Sequence, residues 1–427
     1  MTVTESVPEQ RSVPRSRPEV MAAVREIGAA AEPHAARHDR EGTFVEEGYE
    51  VIRSTGYGLI GVPRELGGGG HGLGMVCRAQ AALARYCANT ALAIAMHQHN
   101  VLTFAWRWRL GDTSVEPTLR RIVDEGLILS SSGSADPTNT GVTGELVDGG
   151  VRVTGRKRFV SGVSGADVVL TMAVVKSASG ERQRTTTVLV PTTDPGFAIL
   201  PEWDAMGMRG SASNPVTFTG VFVPSANVID FEQVWALDHE NENGDGNAQA
   251  GSRSGPRPGG PRRGGRPGGD IREAGHRLPG LQIALPVIAS VYLGAAGGVR
   301  DRALRMAAGK GEYDPAQLRI AGLLTQEFRS AWWALDALIA ETTDESLGSE
   351  RHFTTTMLAK RQVVLSSIRV VELAMELLGS KSYMRGLPFE QALRDVRAGI
   401  THPLSPEKTL YEIGKSALDN AARRPEQ

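Results

Sequence analysis

The sequence predicts an α+β protein in three consecutive parts: helical, then β, then helical again. Three observations predict it. From Pro18 to about Glu125, Ala-rich segments carry apolar residues at spacings of three and four. From Leu127 the apolar period changes to two. From Leu278 it returns to the helical spacing. Strands gathered in one block, and not alternating with helices, exclude a doubly wound sheet. A chain of 427 residues has room for two or three domains.

Residues 1–17 are rich in Pro, Arg and Ser and are expected to be a disordered tail. They lack the apolar run of a signal peptide. A helical domain is expected over 18–126. Within it, Leu59–Gly70 (LIGVPRELGGGG) reads as a loop between helices. Its glycines, Gly67–Gly70, permit unusual backbone angles, close approach to a ligand or simple flexibility. Cys77 and Cys87 fall in the helical pattern as small buried apolar residues. Two thiols make neither a disulfide framework nor a zinc site, so a reducing, cytoplasmic compartment is expected.

The β-domain is expected over 127–236, with strands at Leu127–Ser131, Gly144–Val147, Val151–Val153, Val168–Val175, Thr185–Val190 and Val216–Val223. Asp148-Gly149 is a hairpin turn signal, and the sheet should be mostly antiparallel. Residues 237–277 form a low-complexity insertion. Its centre, 239–270, has almost no apolar residues and cannot build a core. The Arg/Gly-rich half resembles an RNA-binding tail, but no aromatic interleaves the arginines, which favours a solvated linker. Deleting 239–270 is therefore expected to leave soluble yield and activity within about twofold of wild type, and loss of soluble protein would overturn the linker reading.

The last part, 278–427, carries long helical segments at about 279–310, 315–342 and 353–379, and shorter ones at 388–398 and 406–422. Leu281–Val299 approaches the length of a membrane span. Gln282, Pro286 and the small residues Gly294–Gly298 favour instead a central bundle helix that a neighbour approaches closely. A net charge of −1 gives no field for nucleic acid or an anionic membrane.

Chemistry concentrates at Lys157–Asp167, KRFVSGVSGAD. Phe159, Val160 and Ser161 end a strand and enter a Gly/Ser-rich loop, placing an aromatic face and a hydroxyl where a sheet could meet a flat ligand. No GxGxxG fingerprint, P-loop, HExxH or serine elbow is present. His97 and His99 are two apart on a helix and point to different faces, so at most one can face a given pocket.

Several segments in order resemble the acyl-CoA dehydrogenase superfamily. Gly58–Gly70 is similar to its loop after the second helix, and Gly155–Ser161 (GRKRFVS) to its G-x-K-x-[WF]-[IV]-[TS] motif. Met206–Ala212 (MGMRGSA), followed by Val216–Phe218 and Val221–Pro224, is similar to its GMRGS…V-x-F…V-x-VP segment. Arg394–Arg397 resembles its RD-x-[RK] element. The resemblance implies an acyl-CoA dehydrogenase-like fold, with a β-barrel-like middle domain and a C-terminal four-helix bundle. It also implies a flavin, FAD or FMN, at contacts of a homotetramer or homodimer. Phe159 and Val160 would lie by the isoalloxazine, Ser161 near N5, and Arg209 in the neighbouring loop. Leu129–Asp136 (LSSSGSAD) falls where the family has its T-E-P-x-x-G-S-D loop, with Ser130, Ser131, Ser132 and Ser134 as contacts.

The departures discriminate between reactions. The family's base is a Glu, either just after the RD-x-[RK] element or early in the first bundle helix. Here the first place reads Ala398–Leu404 and the second is apolar around Ala284. The family's R-x-x-F-G…F-Q segment, which helps hold FAD, is replaced by Met306–Arg319. Similar departures mark the branch that includes dibenzothiophene monooxygenase and amino-sugar N-oxygenases. Those use reduced flavin from a separate reductase, and His97 or His99, Ser161 and His402 match their His, Ser and His places. The expectation is a flavin-dependent monooxygenase acting on a small organic substrate. The alternatives are an acyl-CoA or acyl-ACP dehydrogenase with His402 as base, and a non-catalytic scaffold.

Overall fold

The computed structural model describes residues 13–132, 140–177, 179–180, 182–239, 277–309, 311 and 313–422. Ser134 and residues 240–276 of the expected insertion lie outside them.

The first helix, α1 (Arg17–Glu41), starts on a capping box in which the Glu19 amide donates to Ser16 Oγ and the Ser16 amide donates to Glu19 Oε2. Residues 13–17 are ordered, contrary to the expected tail. Arg64 Nη2 donates to the Arg15 carbonyl at 2.8 Å, and His71 Nε2 bonds the Pro14 carbonyl at 3.2 Å. The glycine run explains both contacts. A Cβ on Gly68 would lie 2.2 Å from the Val62 carbonyl, and one on Gly69 2.6 Å from the Pro14 carbonyl. The close approach that these glycines permit is therefore to the chain's own backbone. Helices α2 (Glu46–Ser54), α3 (Leu73–Ala84), α4 (Ala88–Arg109) and α5 (Glu116–Asp124) complete this part.

The middle part is one mixed sheet of β1 (Leu129–Ser132), β2 (Val142–Val147), β3 (Gly150–Lys157), β4 (Val160–Ser161), β5 (Val168–Lys176), β6 (Gln183–Pro191), β7 (Phe197–Ile199) and β8 (Val216–Pro224). The strand order is β4-β1-β5-β2-β3-β8-β7, with β6 on the other side of β5. Pairing is antiparallel except where β5 runs parallel to β1 and to β2. Gly149 turns the β2–β3 hairpin at φ +73°, in the left-handed region that Gly adopts without cost. Alternate valines of β3, β5, β6 and β8 fill the core beneath the sheet.

After α6 (Phe231–His239), the C-terminal part comprises α7 (Arg277–Ala308), α8 (Pro315–Glu341), α9 (Glu350–Leu378), α10 (Phe389–Thr401) and α11 (Pro406–Ala422). By length and composition Pro279–Ala308 could cross a membrane, but 94% of its most apolar window is buried inside the protein. A Cβ on Gly294 would stand 2.1 Å from the Ala81 carbonyl of α3. One apolar core therefore runs through both helical parts.

Candidate active site

The site grows from the β4 edge of the sheet. Ser131 of β1 stands directly opposite Ser161 of β4, and Ser132 opposite Val160. Opposed residues share a face and neighbours alternate. Ser131 and Ser161 therefore face one way while the Val160 side chain turns into the β-core, fully buried. The side chain of Val160, expected as a cofactor contact, packs in the β-core, which leaves its backbone for such a contact. The same alternation corrects Ser130 and Ser132. Ser130 Oγ donates to the Ser161 carbonyl at 2.7 Å, and Ser132 Oγ bonds Thr171 Oγ1 at 2.9 Å, so both hydroxyls tie strands together.

Phe159 sits between β3 and β4 with φ +62°, a conformation costly for a bulky non-glycine residue. Its ring is 64% exposed and meets Trp203 edge-on at 6.0 Å. An exposed aromatic ring beside a strand edge has an open face on which a flat ligand can stack.

Behind Ser161 runs a chain of hydroxyls. Ser161 Oγ lies 2.8 Å from Ser213 Oγ, which lies 2.7 Å from Ser211 Oγ, and Ser211 Oγ donates to the Met208 carbonyl at 2.7 Å. The loop is held from the bundle. The Met208 amide donates to Asp395 Oδ1 at 2.5 Å, and burial pushes that carboxyl up to about 7. Next to it, Arg394 grips Asp39 of α1 through two bonds, at 2.9 and 2.5 Å. Arg209, expected as a cofactor contact, is used as a brace. Its Nε donates to the Asp39 carbonyl at 2.7 Å and its Nη1 to Asp204 at 2.8 Å.

The two α4 histidines separate cleanly. His97 is fully buried and both ring nitrogens are taken by backbone: Nε2 donates to the Gly58 carbonyl at 2.8 Å, and the Leu129 amide donates to Nδ1 at 3.0 Å. That fixes a neutral ring with no nitrogen left for a ligand, so His97 locks α4 to β1. His99 is half-buried and reaches Ser131 Oγ at 3.4 Å, on the Ser161 face. Burial pushes both rings down to about 4. Two turns further along α4, the buried Trp106 Nε1 has no partner among the described residues, a donor that a ligand could satisfy.

His402 caps the C-terminus of α10. Its Nδ1 bonds the Tyr292 hydroxyl of α7, and its carbonyl accepts Lys360 Nζ at 2.6 Å. Burial, helped by the Lys360 charge, pushes the ring down to about 4. These bonds place His402 on the bundle side, just past the end of the helix that carries Asp395.

Three family models match in succession: the acyl-CoA dehydrogenase N-terminal domain over residues 17–108, the middle domain over 130–221 and the C-terminal domain over 287–400. The chain belongs to the acyl-CoA dehydrogenase superfamily. This membership carries a class of chemistry, flavin-dependent oxidation and reduction. Among relatives of the superfamily chain, amino sugar nitrososynthase DnmZ of Streptomyces peucetius is 28% identical, covering 91% of this chain and 90% of its own. Putative acyl-CoA dehydrogenase YdbM of Bacillus subtilis is 26% identical, covering 90% and 93%. The solved structure of KijD3 with FMN and a dTDP-linked amino sugar superimposes with a TM-score of 0.73 at 26% identity, covering 95% of both chains.

A flavin suits the residues found. The strained, exposed Phe159 with Trp203 offers an aromatic wall, and Ser161 stands at the strand edge beside it. Sequence reasoning named Phe159 and Ser161 but missed Ser211, Ser213 and Tyr292. The hydroxyls spaced two apart in Ser211-Ala212-Ser213, just after the MGMRG run, were the available signal. Tyr292 lies inside an apolar helix and left none.

Proposed function

We propose that this superfamily member is a monooxygenase that accepts reduced flavin from a separate reductase and uses molecular oxygen to oxidise a small organic substrate. The observation that carries the reading is the type of side chain found at the expected catalytic places: Ser161 and Ser131 with His99 at the sheet edge, and His402 bonded to Tyr292 with Lys360 on its carbonyl in the bundle, none of them a carboxylate. Abstraction of a proton alpha to a thioester calls for a carboxylate. The buried carboxylate of the α10 segment that precedes His402, Asp395, is turned to the Met208 amide and to Gln391.

Phe159 and Trp203 would cover the flavin ring, and Ser161 would meet its reactive edge. When bound, the flavin supplies electrons for the activation of oxygen. His99 and His402, kept neutral by burial, can each take up or hand on a proton at a ring nitrogen. The likeness to DnmZ and KijD3 supports an amine-bearing substrate and FMN. A homotetramer or homodimer in the cytoplasm accompanies this reading.

A second reading, dehydrogenation of an acyl thioester with His402 as base, is favoured by the likeness to YdbM. Anaerobic titration with oxidised and reduced flavin separates the two. Tighter binding of the reduced form, with turnover that needs both a reductase and oxygen, is the expected result. Bleaching of bound flavin by an acyl-CoA without oxygen would establish the dehydrogenase instead. Binding of neither form would leave a scaffold.

A further inference from the structure

The hydroxyl chain behind Ser161 has a direction, and proton counting alone assigns it. There are three close oxygen–oxygen contacts in series: Ser161 to Ser213 at 2.8 Å, Ser213 to Ser211 at 2.7 Å, and Ser211 to the Met208 carbonyl at 2.7 Å. Each contact needs one proton between its oxygens, because two lone pairs at that separation repel. Three hydroxyls supply three protons and the carbonyl supplies none. Only one assignment fills every contact: Ser211 donates to Met208, Ser213 donates to Ser211, and Ser161 donates to Ser213. The two inner serines, Ser211 and Ser213, are at most 2% exposed, so water does not offer them another partner. The other groups on the Met208 carbonyl, Trp203 Nε1 and the Ser211 amide, are donors too and return no proton.

The consequence is at the front of the chain. Ser161 has used its hydroxyl proton inward, so toward a ligand it presents lone pairs only. Position 5 of an oxidised flavin is a bare nitrogen, an acceptor. The same position of a reduced flavin carries N–H, a donor. An oxygen that can only accept matches the second and repels the first.

We propose that Ser211 and Ser213 are positioning residues that set the polarity of Ser161 and thereby make the site select reduced over oxidised flavin. The inference rests on the proposed function, in which the flavin's reactive edge lies against Ser161. It adds what that reading leaves open: how a site of neutral groups tells two redox states of one ligand apart. No electrostatic selection by charge is needed, because the discrimination resides in where one proton points.

The test is equilibrium binding of FMN, oxidised and dithionite-reduced, to the full chain under nitrogen, with the ratio of the two dissociation constants as readout. Wild type should bind reduced FMN the more tightly. In Ser213→Ala, Ser161 loses its inward acceptor and its hydroxyl can turn to the flavin. The preference for reduced FMN should fall about tenfold, which lowers the two-electron potential of bound FMN by about 30 mV. Ser211→Ala should act in the same direction by releasing Ser213, and it carries the test if Ser213→Ala does not fold. Ser213→Thr, which keeps the hydroxyl, should keep the wild-type ratio. Alanine variants whose ratio stays within about twofold of wild type overturn the inference, as does a Ser213→Thr ratio shifted like that of Ser213→Ala. Failure of wild type to bind FMN in either state would defeat the proposed function and the inference with it, and needs no variant to be seen.

Discussion

Replacing His402 with alanine is expected to lower product formation by about two to four orders of magnitude, the usual contribution of a positioned proton donor or acceptor. The fold should survive. The backbone bond from Lys360 Nζ to the residue 402 carbonyl does not depend on the side chain, and what is lost is the ring's bond to Tyr292. Leaving the buried Tyr292 hydroxyl without that partner costs about 1–3 kcal/mol, so the melting temperature should fall by several degrees without loss of the fold. The pH profile adds a second check. Burial disfavours the charged ring and the Lys360 ammonium disfavours it further, so protonation waits until about pH 4. Wild-type activity should hold as pH falls through 6.5 and decline only toward 4. Wild-type turnover in the variant would remove His402 from the mechanism.

His97→Ala should fail differently, as a stability mutant. Truncation leaves the Gly58 carbonyl and the Leu129 amide without partners in a fully buried place, and opens a cavity. Such losses amount to about 3–5 kcal/mol. The ring also ties stability to pH. Its folded pKa, pushed down to about 4 by burial, lies below the ordinary 6.5. Protons therefore bind the unfolded chain more readily. The stabilisation is complete above pH 6.5 and is lost as pH falls toward 4, to a limit of about 3 kcal/mol. Melting curves at pH 7 and pH 4.5 should show a steep acid loss in wild type and a shallower one in the variant. Equal slopes would mean that His97 is not the buried neutral ring described.

Much of this was legible beforehand, for a physical reason. Long segments bury a whole face, so their period is written many times over: α8 and α11 begin at the expected residues, and β5, β6 and β8 lie within two residues of expectation. β4 and β7, with two and three residues, are too short to show any period, yet β4 carries Ser161. At the site, residue type was readable and direction was not. His97 and His99 differ in role because one ring meets two backbone groups and the other a serine, which spacing on a helix does not specify. Ser130 and Ser131 differ by one step of the pleat. Arg209 looked available because one of its partners, the Asp39 carbonyl, comes from a helix 170 residues earlier, and a contact to Asp204 five residues away in a loop follows no helical or strand period. Residues 13–17 looked like a tail because their partners, Arg64 and His71, lie some fifty residues on.

The dipeptide Arg394-Asp395 touches the N-terminal helix through Asp39 and the serine-bearing loop of the sheet domain through Met208. Its position late in the chain gives the protein a temporal order. On the ribosome, α1 and the sheet can form well before α10 has emerged. Until it does, the Met208 amide lacks its Asp395 partner, and the loop that orients Ser161 is tied to α1 by Arg209 alone. A chain that ends before Arg394 is therefore expected to bind flavin more weakly than the full chain, because the loop behind Ser161 has lost its second tie.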